Sequence, residues 1–403
     1  MSRIILALLC LTTVSGWSTA QGASSASHAP RIVGYYASWA AYGGYTPAQI
    51  PGELLTHVIY AFANISGDGE AILGDACQDV GSCNGQIGAA LQPGSSFAQM
   101  RELKKRYPHL RVLVAVGGWN WSGKFSDVAL TPDSRSKFVT SALTLFLDRW
   151  PGLFDGFDLD WEYPFVGGRP ENKYRPDDWQ NYALLLAEFR RQLDARGTEV
   201  SRRYLLTIAA PASVRQAIEK LVWTQISNVV DWINLMTYDY NTGGRLANFN
   251  APLFAVANDP APGMNVHATV ERYLAAGVPR EKIMMGLPFF GHGYSGVKSE
   301  SAGLFQSAEP DLSNKQWGVG TVSFRELRSA TARRFKRFWH PEAQVPWLFN
   351  DEKRVWISYD DSESITRKLD YVRSQGLGGV MIWELSGDDG SLLPAIHRQL
   401  RTR

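Results

Sequence analysis

Residues 154–163 read Phe-Asp-Gly-Phe-Asp-Leu-Asp-Trp-Glu-Tyr, with four acids in eight positions of an otherwise aromatic and apolar segment. Side chains two apart on a strand share a face. A strand over 156–162 would therefore set Asp158, Asp160 and Glu162 on one side and Phe157, Leu159 and Trp161 on the other. With the apolar side packed under helices, the acidic row faces a barrel interior or a cleft. Carboxylates about 7 Å apart and shielded from water raise one another's pKa values, so at least one keeps its proton near neutral pH. A protonated acid beside an ionised one is the pairing that cleavage of a glycosidic bond requires, one group giving its proton to the leaving oxygen. The same residues also fit a solvated edge strand or an Asp-x-Asp site for Ca²⁺ or Mg²⁺. So apolar a flank argues against the edge. Trp161 and Leu159, which offer no oxygen ligands, argue against the metal, and no metal or other cofactor is expected.

Such a row needs a scaffold. Apolar runs that read as strands recur at 32–36, 57–62, 111–117, 205–210, 232–238, 283–288 and 379–383, besides the acidic segment itself. Helical stretches lie between most of them. The clearest are 131–149, opened by Thr131-Pro132-Asp133, and 177–196, 266–276 and 362–375. Eight strands alternating with helices predict an α/β fold, a (β/α)8 TIM barrel, whose chemistry lies at the carboxyl ends of the strands. Gly117-Gly118-Trp119, Glu162, Tyr238-Asp239 and Trp383 all fall at such ends. The alternation fails over 293–357, where Gln316-Trp317 and 339–347 are rich in Trp and no long helix is evident. A small α+β insertion between strand seven and its helix is expected there. The chain then divides into a signal peptide (1–20), a linker (21–30), a barrel in two parts (31–292 and 358–403) and the insertion (293–357).

The 403 residues are 45% hydrophobic and 20% charged, with a formal net charge of +2, and no basic face dominates, which argues against nucleic acid as a partner. Arg333, Arg334, Lys336 and Arg337 fit a solvated helix face. Aromatics are abundant, with 14 Trp and 16 Tyr; they suit stacking on the flat faces of sugars, although core filling must account for most. Arg3, the apolar run 4–14 and Ser18-Thr19-Ala20 have the layout of a secretory signal peptide. That run is too short to cross a bilayer and no other stretch is long enough, so a secreted protein, extracellular or periplasmic, without a membrane anchor is expected. A monomer is also expected. Cleavage would leave Cys77 and Cys83, with five residues between them in a Gly-rich segment; an oxidising compartment favours a local disulfide over two free thiols.

The segment 155–162 resembles the Asp-x-x-Asp-x-Asp-x-Glu signature of the family 18 glycoside hydrolases, the chitinases and their relatives, with all four acids in register. Ala115-Val116-Gly117-Gly118-Trp119, Met236-Thr237-Tyr238-Asp239, Gly286-Leu287-Pro288-Phe289 and Met381-Ile382-Trp383 resemble the family's motifs on strands three, six, seven and eight. Residues 293–357 resemble the insertion that deepens the groove in groove-type members. The resemblance implies a chitinase acting on chitin and chitooligosaccharides. Glu162 would protonate the glycosidic oxygen, and the substrate's N-acetyl carbonyl, not a second carboxylate, would attack the anomeric carbon. Asp160 would hold the acetamido N–H, Asp158 would share a proton with Asp160, and Tyr238 would bond the acetamido oxygen. Trp383 would form the floor, and Tyr35, Phe62, Trp119, Met236 and Asp239 would line the rest.

Three positions depart from the family pattern. Ala115 stands where many members place a Ser that donates toward the equivalent of Asp158, which leaves Tyr35 as the expected donor. The stretch 240–244 lacks a Trp that many members carry. Phe290-Gly291-His292 replaces a commoner Tyr-Gly-Arg. Two further functions fit the same resemblance: a lectin, which the Glu at 162 argues against, and an endoglycosidase of N-linked glycans, against which a deep groove suited to a long uniform polymer argues.

Overall fold

The computed structural model describes residues 29–401, except 85–87, 89, 214–217, 220–221, 243, 310–319 and 329–331. The expected signal peptide, the linker up to residue 28 and the Gln316-Trp317 pair lie outside the described residues. Strands β1 (Arg31–Ala37), β2 (His57–Ile65) and the short β3 (Ala71–Ile72) are followed by β4 (Arg111–Gly117), β5 (Gly156–Asp160), β6 (Leu205–Ala210), β7 (Trp232–Leu235) and β8 (Ile283–Pro288). After an intervening second sheet comes β14 (Gly379–Trp383). Eight of these run parallel in the order β1-β14-β8-β7-β6-β5-β4-β2, and pairing of β1 with β2 closes the ring. With the helices around it this is the (β/α)8 barrel that the alternation predicts.

Alternation along each strand builds two apolar layers. Ile32, Tyr36, Val58, Tyr60, Val112, Val114, Phe157 and Leu159 point outward into the main core beneath the helices. Val33, Tyr35, Ile59, Ala61, Leu113, Ala115, Met284 and Met381 form a separate inner cluster. Phe157 and Leu159 are fully buried, and each contributes on the order of 2 kcal/mol of hydrophobic stabilisation. The outward set therefore fixes which residues of β5 face in.

The helices begin where local chemistry starts them. In Pro132–Leu143 the Thr131 hydroxyl accepts from the Ser134 N–H at 3.1 Å, the Ser134 hydroxyl accepts from the Thr131 N–H at 3.0 Å, and Pro132 fills the first position, which needs no donor. Asp361 caps Ser362–Ser374 in the same way. The Pro132–Leu143 helix buries Phe138, Val139, Ala142 and Leu143, together with Arg135.

Several expected boundaries move. The acidic strand ends at Asp160 rather than at 162, and β7 ends at Leu235 rather than at 238. Beyond Leu235 the Thr237 hydroxyl bonds Gly286 O at 2.8 Å, and Asp239 adopts a left-handed backbone (φ 57°). The chain leaves the ladder there, and the turn presents Tyr238 and Asp239 at the mouth. Between β8 and the Ser362 helix, β9 (Phe290–Tyr294), β10 (Thr321–Ser323), β11 (Lys336–His340), β12 (Val345–Asn350) and β13 (Val355–Ser358) form an antiparallel sheet in the order β10-β9-β13-β12-β11. Its first strand starts at Phe290, ahead of the boundary expected at 293. Arg337 and Lys336 lie on β11, not on a helix as the charge run suggested. Phe249, Trp347, Phe349 and Trp356 give this sheet its own core.

Candidate active site

Strand β5 spans the barrel from a clamp at one end to a cavity at the other. Asp155, the first acid of the run, precedes it and does no work at the mouth. Buried beside the barrel floor, it takes Lys104 Nζ at 2.6 Å, Arg111 at 3.2 Å, Arg202 and the Val112 N–H at 2.6 Å. Asp158 and Asp160 turn inward two and four residues past Gly156, and Glu162 follows two residues beyond the strand end.

Asp158 is fully enclosed beneath the cavity. The Tyr35 hydroxyl donates to its Oδ2 at 2.6 Å, and the Thr207 hydroxyl and Asn234 Nδ2 donate to its Oδ1 at 2.5 and 3.1 Å. The Trp232 indole donates to Asn234 Oδ1 at 2.9 Å, which turns the amide NH₂ toward Asp158. Burial raises the Asp158 pKa to about 6, and these three donors restrain the rise. Tyr35 is thus the partner expected where Ala115 offers no hydroxyl, but it acts with two others that the sequence analysis did not single out. The clue available in the sequence was parity. Thr207 and Asn234 are polar residues inside apolar strands, Leu-Leu-Thr-Ile-Ala-Ala and Trp-Ile-Asn-Leu.

Asp160 has a different environment. Its Oδ1 is buried without a hydrogen-bond partner among the described residues, although the side chain lines the cavity. Burial, then the charges of Glu162 and Asp158, push its pKa well above the ordinary value. Burial also raises Glu162, to about 7, with the Tyr163 hydroxyl opposing and the Asp239 charge adding to the rise. The backbone around Glu162 is held on both sides: its N–H donates to Ser122 Oγ at 2.8 Å, and Asn172 Nδ2 donates to its carbonyl at 3.0 Å. Gly117 completes this corner. At φ 104° it lies so close that a Cβ would stand 2.4 Å from Asp160 O, so the turn after β4 needs glycine.

The cavity measures about 310 Å³ and opens at the carboxyl ends of the strands. Tyr35, Phe62, Trp119, Asp160, Glu162, Met236, Tyr238, Asp239 and Trp383 line it, and Asp158 lies behind them. The lining also includes Trp39, Asn120, Trp121, Ala209 and Met381, which the sequence analysis missed. Trp383 stacks on Phe62 at 5.8 Å and meets the edge of Tyr35 at 5.5 Å. Trp39, half-exposed, stacks on Phe62 at 6.1 Å and continues this aromatic surface outward. His292 Nε2 lies 2.6 Å from Oδ1 of Asp239, one of the lining residues. Cys77 and Cys83 form a disulfide in the segment after β3.

A closed parallel barrel with three inward acids and an aromatic floor at its mouth has the makings of a glycoside hydrolase. The chain belongs to the glycosyl hydrolases of family 18, whose family model matches residues 31–388. Chitinase A1 of Niallia circulans is 38% identical over 428 residues, covering 96% of this chain and 61% of that protein, so the chain spans under two thirds of that relative's length. Probable chitinase 2 of Drosophila melanogaster is 32% identical over 405 residues, covering 96% of this chain and 78% of that one. The solved chitinase ChiA74 from Bacillus thuringiensis has a TM-score of 0.86 at 33% identity, covering 93% of this chain and 70% of that one.

Proposed function

We propose that this chain is a secreted chitinase that hydrolyses β-1,4 linkages between N-acetylglucosamine units with retention at the anomeric carbon. One observation carries the mechanism: the unpartnered, buried Oδ1 of Asp160 in the cavity lining. A buried carboxylate oxygen needs a donor, and the acetamido N–H of a bound sugar is one of suitable size and position. That bond would turn the acetamido carbonyl toward the anomeric carbon and stabilise the positive oxazolinium formed when it attacks. Glu162, holding its proton up to about pH 7, gives it to the leaving glycosidic oxygen and then takes one from the water that opens the oxazolinium. Two inversions give retention. Asp158, saturated by three donors, is poorly placed to be a nucleophile and serves to modulate Asp160. Tyr238, whose hydroxyl has the Met381 sulfur at 3.9 Å as its one hydrogen-bond partner among the described residues, is free to bond the acetamido oxygen.

Secretion is supported by the N-terminal apolar run and by the Cys77–Cys83 disulfide, which suits an oxidising compartment. The relatives named as chitinases support the substrate. A time course on chitin hexamer with NMR of the first products tests the reading: the β-anomer is expected, and inversion would refute it. Glu162→Gln should bind the hexamer without turning it over. A high-mannose glycoprotein run alongside should stay intact, and its cleavage in place of the hexamer would point to an endoglycosidase. N-terminal sequencing of the exported protein tests secretion, with cleavage near Ala20 expected.

A further inference from the structure

Asp239 is tethered to the second sheet twice. Its backbone N–H donates to Asn250 Oδ1 at 2.8 Å, and the Asn250 N–H donates to Ser358 Oγ at 2.8 Å. Its carboxylate meets His292 Nε2 at 2.6 Å. Ser358 and His292 are register partners on β13 and β9, so both tethers leave the sheet from one rung. Asn250 and Ser358 already fix where the Asp239 backbone stands in its left-handed conformation. The contribution left to His292 is to the carboxylate and its charge.

That charge reaches the acid. Glu162, Tyr163 and Tyr238 all face Asp239, and its negative charge opposes ionisation of each. Asp160 and Asp158 add further negative charge around Tyr238. On its own sheet His292 lies between Thr321 of β10 and Ser358 of β13 and packs edge-on against Phe290, none of which carries charge. Among the described residues, His292 is the one side chain able to carry positive charge within ion-pair distance of Asp239.

We propose that His292 is a positioning residue that sets how much of the Asp239 charge Glu162 feels, making the second sheet part of the acid's electrostatic environment. A cation at position 292 offsets the Asp239 charge, and Glu162 then releases its proton more readily; an uncharged side chain there leaves that charge unopposed, and Glu162 holds its proton to higher pH. The proposal rests on the reading of Glu162 as the general acid, whose ionisation then sets the alkaline limb of the rate profile.

The test is the pH dependence of kcat/KM on a soluble chitooligosaccharide for His292→Arg, His292→Gln and Asp239→Asn. A permanent cation beside Asp239 should place the alkaline limb of His292→Arg about half a unit to one unit below that of His292→Gln. Asp239→Asn, which removes the charge, should also lie below His292→Gln. Adding His292→Arg to Asp239→Asn should move the limb by less than it does in the parent. Coincident limbs for the Arg and Gln variants would overturn the proposal. Should the Arg variant not fold, coincident limbs for His292→Gln and Asp239→Asn would overturn it equally. Glu162→Gln separates the two levels. Turnover retained in that variant removes the reading of Glu162, whereas an inactive Glu162→Gln with unmoved limbs removes only the role given to His292.

Discussion

Thr207 Oγ1 lies 2.5 Å from Asp158 Oδ1, and the two residues are register partners on adjacent strands. On the other side the register partner of Asp158 is Ala115, which has nothing to donate. The hydroxyl absent from β4 is thus met by one from β6. Thr207→Val keeps the shape and removes the donor. It should raise the Asp158 pKa above its present value of about 6 and move the acid limb of kcat to higher pH by about one unit. An acid limb unchanged from wild type would show that ionisation of Asp158 does not govern it.

Glu162 predicts a trade between activity and stability. Its pKa stands at about 7 in the folded protein against 4.5 ordinarily, so folding takes up a proton between those values. The contribution of this group to stability is therefore favourable at low pH and falls as pH rises through that window. Glu162→Gln removes the penalty. It should be more stable than wild type by on the order of 2 kcal/mol at pH 8, with the gain vanishing at pH 4. Denaturant midpoints at the two pH values measure this, and a gain independent of pH would refute the cause given.

Asp155 should behave in the opposite sense. Burial would raise its pKa, but Lys104, the Val112 N–H and Arg202 outweigh that and hold it below 3.8. Its stabilisation is present above the ordinary carboxylate value and is lost as pH falls through the depressed one. Asp155→Asn leaves Lys104 and its companions without their counter-charge and should cost about 3–5 kcal/mol at pH 7. The difference from wild type should shrink on acidification. Urea titrations at pH 7 and pH 3 would reveal it.

Trp39 extends the aromatic surface beyond Phe62 and Trp383 and is half-exposed. Trp39→Ala should raise KM for long chitooligosaccharides by roughly 5–30-fold, or about 1–2 kcal/mol, and change kcat little. Short oligomers that do not reach the ring should be nearly unaffected. An equal loss on dimers and hexamers would place the effect in the reacting site instead.

The parts of this architecture that follow a short period are readable from the chain. The faces of β5 obey a period of two, and the apolar residues at 157 and 159 decide which way the acids point. Residues that act across the barrel are harder to see. Thr207 and Asn234 reach Asp158 from 49 and 76 residues away, and their partner depends on register between strands. Tyr238 and Asp239 were placed at a strand end by pattern, yet the strand stops three residues before Tyr238 because a left-handed turn is needed to present them. Trp39 lies on a short 3₁₀ turn, Ser38–Gly43, where neither period applies. The contact between His292 and Asp239 depends on where a second sheet docks, which local spacing does not encode.

The Asp155 clamp also acts as a check on strand alignment. If β5 slipped by one residue against its neighbours, Phe157 and Leu159 would turn inward, and the loss of apolar burial would reject the slip. A slip of two residues would keep every side chain on its proper face, so alternation alone could not detect it. It would, however, carry Asp155 about 7 Å from Lys104, Arg111 and Arg202 and strand a buried charge. Four acids in eight residues thus include one that proofreads the position of the other three.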